Sequence, residues 1–328
     1  MTDGSPDPAA GAGGGGPCST VALTAEQEAA VTASLAPLLL VAGAGAGKTT
    51  VMARRILHLV QSGQARPSEI LGLTFTNKAA RNLKQRVRDV LGPDADVTVA
   101  TYHSFGASLV ADHALELDLA PATQVLDRAQ SWQLLYSVFD DFRFHRRRTL
   151  SPRALLDDAL ALASRCADHL VPVEAVAEDC RRLAATARWT GTREAAAGRL
   201  ELCQVVAAYG RRKRDRNLVD FGDQVALAVR LLTEHPEVAE AYRRQHPVVL
   251  LDEYQDTNYA QRRLLELLYP SPGPDGTPPA VTAVGDDMQS IYGFRGAHLA
   301  NILRFGRHFP PPRPLPLQVT FRFGPTLV

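Results

Sequence analysis

What the 328-residue sequence lacks narrows its class first. Positive and negative side chains nearly cancel, 36 Lys and Arg against 35 Asp and Glu. No global charge therefore draws the chain to a polyanion or a membrane surface, and any grip on nucleic acid must come from local placement of charge. Cysteine is scarce. Cys18, Cys166, Cys180 and Cys203 show no C-x-x-C spacing and no His partners at zinc-ligand intervals, which excludes a disulfide scaffold and reads as free thiols in a reducing compartment. No Lys or Arg precedes Lys48, and no apolar stretch resembles a signal peptide. The longest apolar run, Leu35 to Ala42, contains Pro37 and falls far short of the ~20 residues that span a bilayer. A cytoplasmic protein without a membrane partner is expected.

What is present suits a globular chain. Hydrophobic residues make up 45% of the sequence, which excludes wholesale disorder, and the length suggests roughly two domains at ~150 residues each. Residues 1–20 form a Gly/Pro/Ser-rich tail that cannot bury enough apolar surface to fold. Beyond it, Leu38 to Val41, Ile70 to Phe75 and Val97 to Thr101 read as strands, alternating with helices over Thr49 to Gln61 and Ala79 to Leu91. That alternation predicts a parallel α/β sheet. Between about Phe105 and Asp220 the strands vanish and Ala, Leu and Arg recur at helical spacing, so a helical insertion of roughly a hundred residues is expected. Strand patterns return at Val248 to Leu251 and Ala280 to Val284. The Pro310 to Pro316 run reads as a stiff interdomain linker rather than an SH3-type ligand.

Three segments carry chemistry. Ala42-Gly43-Ala44-Gly45-Ala46-Gly47-Lys48-Thr49 follows a strand and opens a helix, the context a phosphate-binding P-loop needs. Its small residues let backbone N–H groups wrap phosphates, Lys48 neutralises the β- and γ-phosphates of ATP, and the Thr49 hydroxyl suits Mg²⁺. The first position is Ala42 where the strict pattern has Gly, so the match is to a relaxed form. Val248 to Leu251 then ends in Asp252-Glu253. In a P-loop enzyme Asp252 holds Mg²⁺ and Glu253 orients and deprotonates the attacking water, which favours hydrolysis over phosphoryl transfer. Gly285 to Ala297 follows another strand; Gln289 is placed to report on the γ-phosphate, and its aromatics and Arg295 suit base stacking.

These segments occur together with Leu23-Thr24-Ala25-Glu26-Gln27, Leu73 to Ala80, Thr101-Tyr102-His103-Ser104-Phe105, Asp220-Phe221-Gly222-Asp223 and Asp252 to Asn258. In that order they resemble UvrD/Rep-type superfamily 1 DNA helicases over about residues 20 to 328. Tyr102-His103, Glu253-Tyr254-Gln255 and the C-terminal end look nearer to RecB-like or AdnB-like members. The resemblance implies a RecA-like P-loop NTPase sheet, residues 21–104 plus 220–309, with an all-helical subdomain inserted at 105–219. It also implies ATP and Mg²⁺ as cofactors, with single-stranded DNA and single-strand/duplex junctions as partners. The implied activity is that of the first lobe of a 3′-to-5′ helicase in repair or recombination, nucleoid-associated when on DNA.

Residue by residue, the resemblance makes Gln27 an adenine reader, although Thr24-x-x-Gln27 is equally a helix-starting capping box. Gln289 matches the γ-phosphate sensor. Phe75, Tyr292 and Phe294 match base-contacting aromatics, although Phe75 also ends an apolar strand and suits a core. Thr76, Asn77, His103 and Arg295 align with strand contacts. Phe321 aligns with an adenine-stacking aromatic and Arg322 with an arginine that touches the γ-phosphate. Departures fall at Val319-Thr320, which replace an amide-bearing pair, and at Thr50, where many relatives carry Arg beside the nucleotide. The clusters His145 to Arg148 and Arg211 to Arg214 suit either a solvated face or a duplex-contact surface. Residues 310–328 read as the linker and the start of a truncated second RecA-like domain. A second helicase lobe or a nuclease subunit is the implied partner; the alternative is a split nucleotide- and single-strand-binding module without motor activity.

Overall fold

The structure, a computed structural model, describes residues 22–120, 123–139, 141–145, 151–293, 296–310 and 312–321. Six strands form one sheet: β1 (Leu38–Ala42), β2 (Ile70–Thr74), β3 (Thr98–Thr101), β6 (Val248–Leu251), β7 (Ala280–Gly285) and β8 (Arg313–Leu317). Two further short strands, β4 (Gln124–Val125) and β5 (Leu218–Val219), pair with each other. The large sheet has the order β3-β2-β6-β7-β1-β8, and every neighbouring pair is parallel. The expected parallel α/β fold, consistent with a RecA-like domain, is present.

Its central strand β6 reads Val-Val-Leu-Leu and is buried on both faces, as parallel strands covered by helices must be. Burying each such side chain contributes roughly 1.5–3 kcal/mol. One face is covered by α1 (Ala25–Val31), α2 (Lys48–Gln61) and α3 (Asn77–Leu91), whose Val51, Ile56 and Leu83 join Leu40 and Leu250 in one core. The other carries α4 (Tyr102–Asp112), α9 (Phe221–Glu234), α10 (Pro236–Gln245) and α11 (Tyr259–Leu268), where Phe105, Leu231 and Leu264 meet Val249 and Leu251. Short helices α12 (Ala300–Leu303) and α13 (Phe305–His308) complete that side. Between β4 and β5 lie α5 (Arg128–Phe139), α6 (Pro152–Asp168), α7 (Val173–Thr186) and the 26-residue α8 (Thr190–Asp215), with a separate core around Leu135, Leu156 and Val205.

Arg55 locks α1 to the helix that follows the P-loop. It is fully buried, and its guanidinium donates to the carbonyls of Ala30, Val31, Ala33 and Ser34 and to Thr282 Oγ1. Burial pulls it down to about 10, and the carbonyl fan supplies the acceptors that a buried donor set requires.

Three expectations differ from the structure. Arg313–Leu317, read as linker, is the edge strand β8, paired in parallel with β1. Pro314 and Pro316 are tolerated because an edge strand leaves one row of backbone groups outside the ladder. The stretch read as strand-free contains the β4–β5 pair. Lys213 leaves its basic cluster and turns inward: its Nζ lies 2.6 Å from both Asp220 and Asp223, and Tyr209 also donates to Asp220 at 3.0 Å. Burial opposes the ammonium, but the charges of Asp223 and Asp220 outweigh that and hold it above its ordinary value. Cys166, Cys180 and Cys203 are free, and burial, then the neighbouring cysteines, push Cys203 up to about 12. Cys18, the tail and Arg146 to Arg148 lie outside the described residues.

Candidate functional site

The sheet order lays out the site. Reading across the C-terminal strand ends, His103 follows β3, Phe75 and Thr76 follow β2, Asp252 and Glu253 follow β6, Gln289 follows β7, the P-loop follows β1, and Phe321 follows β8. Ligands of open parallel sheets bind at these ends. The residues expected at the nucleotide and most of those expected on DNA fall on opposite halves of this edge, with Glu253 and Gln289 between them.

The P-loop is held from outside. Carbonyls of Ala44, Gly45 and Ala46 accept from Thr320 Oγ1 (2.9 Å), Phe321 N (3.0 Å) and Gln27 Nε2 (3.0 Å). Gly45 and Gly47 have φ of 79° and 81°, and Gly47 caps α2. A Cβ at Gly47 would lie 2.9 Å from Gln27 Nε2, so both conformation and space demand glycine. Ala42 is fully buried at the end of β1, and Gly43 has open space where a side chain would stand. The capping box is formed: Thr24 N donates to Gln27 Oε1 and Gln27 N to Thr24 Oγ1. Gln27, Gly45, Gly47, Thr50 and Phe321 line a 660 Å³ cavity together with Arg54 and Arg86, a volume typical of small-molecule sites. Arg86 donates to Thr50 Oγ1 at 2.8 Å. A cation from α3 thus stands beside Thr50.

A second cavity of 360 Å³ is lined by Thr49, Asp252, Glu253, Gln289, Phe75, Thr76 and Tyr292, with Gln255 and Asp256. Lys48 Nζ lies 3.0 Å from Glu253 Oε2, which also accepts from Gln255 Nε2 at 2.8 Å. Glu253 sits at φ 48°, ψ 47°, left-handed backbone that costs a non-glycine residue about 1–2 kcal/mol and clusters at functional sites. Gln289 Nε2 donates to Asp286 Oδ2. Asp252 is buried with Oδ1 unpartnered, and burial, then Glu253, push its carboxyl up to about 6 despite Lys48. Asp256 Oδ1 is likewise buried without a partner, and its carboxyl is also pushed up to about 6, by burial first and then Glu253.

That donor set fits Mg²⁺. Orphaned carboxylate oxygens and a Thr hydroxyl are hard oxygen ligands, and Mg²⁺ takes one or two carboxylates and completes its shell with phosphates and water. Among the described residues no group of three His, Cys, Asp or Glu side chains forms a metal site on its own.

On the other half, Phe75 and Tyr292 stack with ring centroids 5.4 Å apart and planes at 30°. Phe75 is therefore half-buried against Tyr292 rather than sunk in the core. Thr76 caps α3 through Ala79 N at 3.1 Å, Asn77 is the exposed first residue of that helix, and His103 is half-buried on α4. Burial lowers the His103 imidazole, which leaves it a neutral hydrogen-bonding group at pH 7. Asn77 and His103 line neither cavity. Phe294, Arg295 and Arg322 lie outside the described residues. Sequence reasoning missed Gln255, Asp256 and Arg86. The first two stand inside the Asp252 to Asn258 block, and Arg86 lies nine residues after the start of α3, with no local signal of the cavity it lines.

Residues 23–310 match the family described as the UvrD/REP helicase N-terminal domain. The sequence is 36% identical over 303 residues to the ATP-dependent DNA helicase UvrD1 of Mycobacterium tuberculosis, covering 92% of this chain and 37% of that protein. It is 31% identical over 299 residues to the ATP-dependent DNA helicase PcrA of Bacillus subtilis, covering 90% of this chain and 37% of PcrA. The chain thus spans little more than a third of the length of these relatives.

Proposed function

Because the chain belongs to the UvrD/REP helicase N-terminal domain family, we propose that it is the ATP-binding and hydrolysing lobe of a DNA helicase that moves 3′ to 5′ on single-stranded DNA. On this reading it unwinds duplex at single-strand/duplex junctions in repair or recombination, beside a second helicase lobe or a nuclease subunit. Residues 21–104 and 220–309 form the ATPase unit, and 105–219 the helical subdomain. The protein works in the cytoplasm, on the nucleoid when bound to DNA; among the described residues no helix is long and apolar enough to cross a membrane. The observation that carries the reading is the single cavity where Thr49, Asp252, Glu253 and Gln289 meet the Phe75–Tyr292 stack.

Chemically, triphosphate entering the P-loop competes with Glu253 for Lys48, a swap of one anion for another at 3.0 Å. Lys48 then balances the β- and γ-phosphates, and Glu253 is released to orient water and take its proton. Thr49 and Asp252 would hold Mg²⁺, which would supply neutralisation of phosphate charge when bound. Gln289 meets the γ-phosphate, and Arg322 is the arginine that the family resemblance assigns to the same phosphate. Gln27 reads adenine by exchanging one of its internal hydrogen bonds, and Phe321, exposed at the cavity edge, stacks on the base. DNA bases replace one ring of the Phe75–Tyr292 stack, with Phe294, Arg295, Thr76, Asn77 and His103 along the strand.

The test is DNA-stimulated ATP hydrolysis by the protein carrying both lobes. Glu253→Gln should lower turnover by about 10²–10⁴-fold while labelled ATP still binds, and Lys48→Ala should lose binding as well. Unchanged turnover in Glu253→Gln would remove Glu253 from the mechanism.

A further inference from the structure

We infer that Gln255 is a positioning residue: a buried amide that ties the water-activating carboxylate of Glu253 to the Asp286–Gln289 turn, so that nucleotide occupancy reaches the Phe75–Tyr292 pair through it. The inference rests on the roles proposed above for Glu253 and Gln289.

Gln255 is 1% exposed and lies in the tight turn Tyr254–Asp256 after β6. Its Nε2 donates to Glu253 Oε2 at 2.8 Å, and its Oε1 accepts from the backbone N–H of Asp286 at 3.1 Å, 31 residues away. Its carbonyl accepts from Ser290 Oγ at 3.4 Å. One end of the side chain must donate and the other accept, which an amide of this length does and neither Glu nor Leu can. Asp286 in turn accepts from Met288 N and Gln289 Nε2. The connection therefore runs from Glu253 through one amide to the residue that holds Gln289, three residues before Tyr292.

Gly285 records how tightly this link is fitted. A Cβ there would lie 2.5 Å from Gln255 Oε1 and 2.8 Å from Ile302 Cδ1. Glu253 Oε2 is shared between Lys48 and Gln255, so when Lys48 turns to phosphate the amide remains as the partner that keeps the carboxylate in place. Breaking either end would strand a buried polar group, so the two ends are coupled through one side chain.

The test measures binding linkage in this chain. The dissociation constant of a fluorescent oligothymidylate is determined with and without a non-hydrolysable ATP analogue and Mg²⁺, and the analogue is titrated with and without the oligonucleotide. The wild type should show a ratio of at least about fivefold, equal in both directions. Gln255→Leu and Gln255→Glu should bring that ratio to near one. Gly285→Ala, which displaces Oε1 without altering the amide, should do the same. A merely structural role would weaken both ligands together and leave the ratio intact. If Gln255→Leu fails to fold, the other two variants carry the test. A ratio that survives in the folded variants overturns the inference alone, and a wild type that binds both ligands without linkage also overturns it. A wild type that binds neither ligand overturns the functional reading instead.

Discussion

Replacing Asp252 by Asn should stabilise the protein while abolishing hydrolysis. Asp252 ends the central strand with its N–H tied to Leu73 O at 2.8 Å, so its carboxyl cannot swing to water without breaking the strand end, and Oδ1 has no partner. A carboxyl that ordinarily ionises near 3.8 and here does so near 6 costs the folded state about 3 kcal/mol once ionised. The sign follows from the raised value. The folded state holds the proton more tightly, so the cost is absent below about pH 4, grows through the window to about pH 6, and is constant above it. Asn never ionises but leaves an amide imperfectly paired, about 1 kcal/mol, for a net gain of about 2 kcal/mol at pH 7.5. Urea unfolding in EDTA, followed at pH 4 and pH 7.5, measures it. The Asn variant should fall up to about 1 kcal/mol below the wild type in acid, where only its imperfectly paired amide counts, and exceed it at neutral pH, and Mg²⁺ should stabilise the wild type alone. An Asn variant less stable at pH 7.5, or a difference independent of pH, would refute the reasoning.

Lys213→Met should destabilise by about 1–3 kcal/mol, because it leaves the half-buried Asp220 and Asp223 without the ammonium that both touch at 2.6 Å. Denaturant melts check this; the deficit should shrink towards pH 5 as the carboxylates protonate, and a loss below about 1 kcal/mol would show the triad to be energetically idle. Gly47→Ala should weaken nucleotide binding by about 5–30-fold, since φ of 81° adds about 1–2 kcal/mol of strain and the new methyl displaces the Gln27 amide. Calorimetric titration with ADP that gave wild-type affinity would contradict the steric account.

How much was legible depended on how local the chemistry is. The P-loop and the Asp252-Glu253 strand end could be read because a strand, its terminal carboxylates or glycines and the next helix are contiguous, and period, capping and residue type report contiguous structure. Val248 to Leu251 reads as a buried strand from four residues alone. The edge strand Arg313–Leu317 did not, because two prolines argue against a ladder and only the open flank of β1 gives them a place. Lys213 could not be told from its neighbours Arg211, Arg212 and Arg214, which are exposed or half-buried. Helical phase separates faces, but the carboxylates that receive it come from the start of the next helix.

By itself, then, the sequence determined the parallel α/β class, the phosphate loop and the family, since these rest on residues close together in the chain. Only tertiary structure decided that Phe75 stacks on Tyr292, that Arg86 reaches the cavity behind the P-loop beside Thr50, and that Gln255 joins Glu253 to Asp286. Such contacts arise where strand order brings distant loops to one edge of the sheet. Pairing of that kind is set by the packing of whole elements, which leaves no periodic trace around the residues that meet.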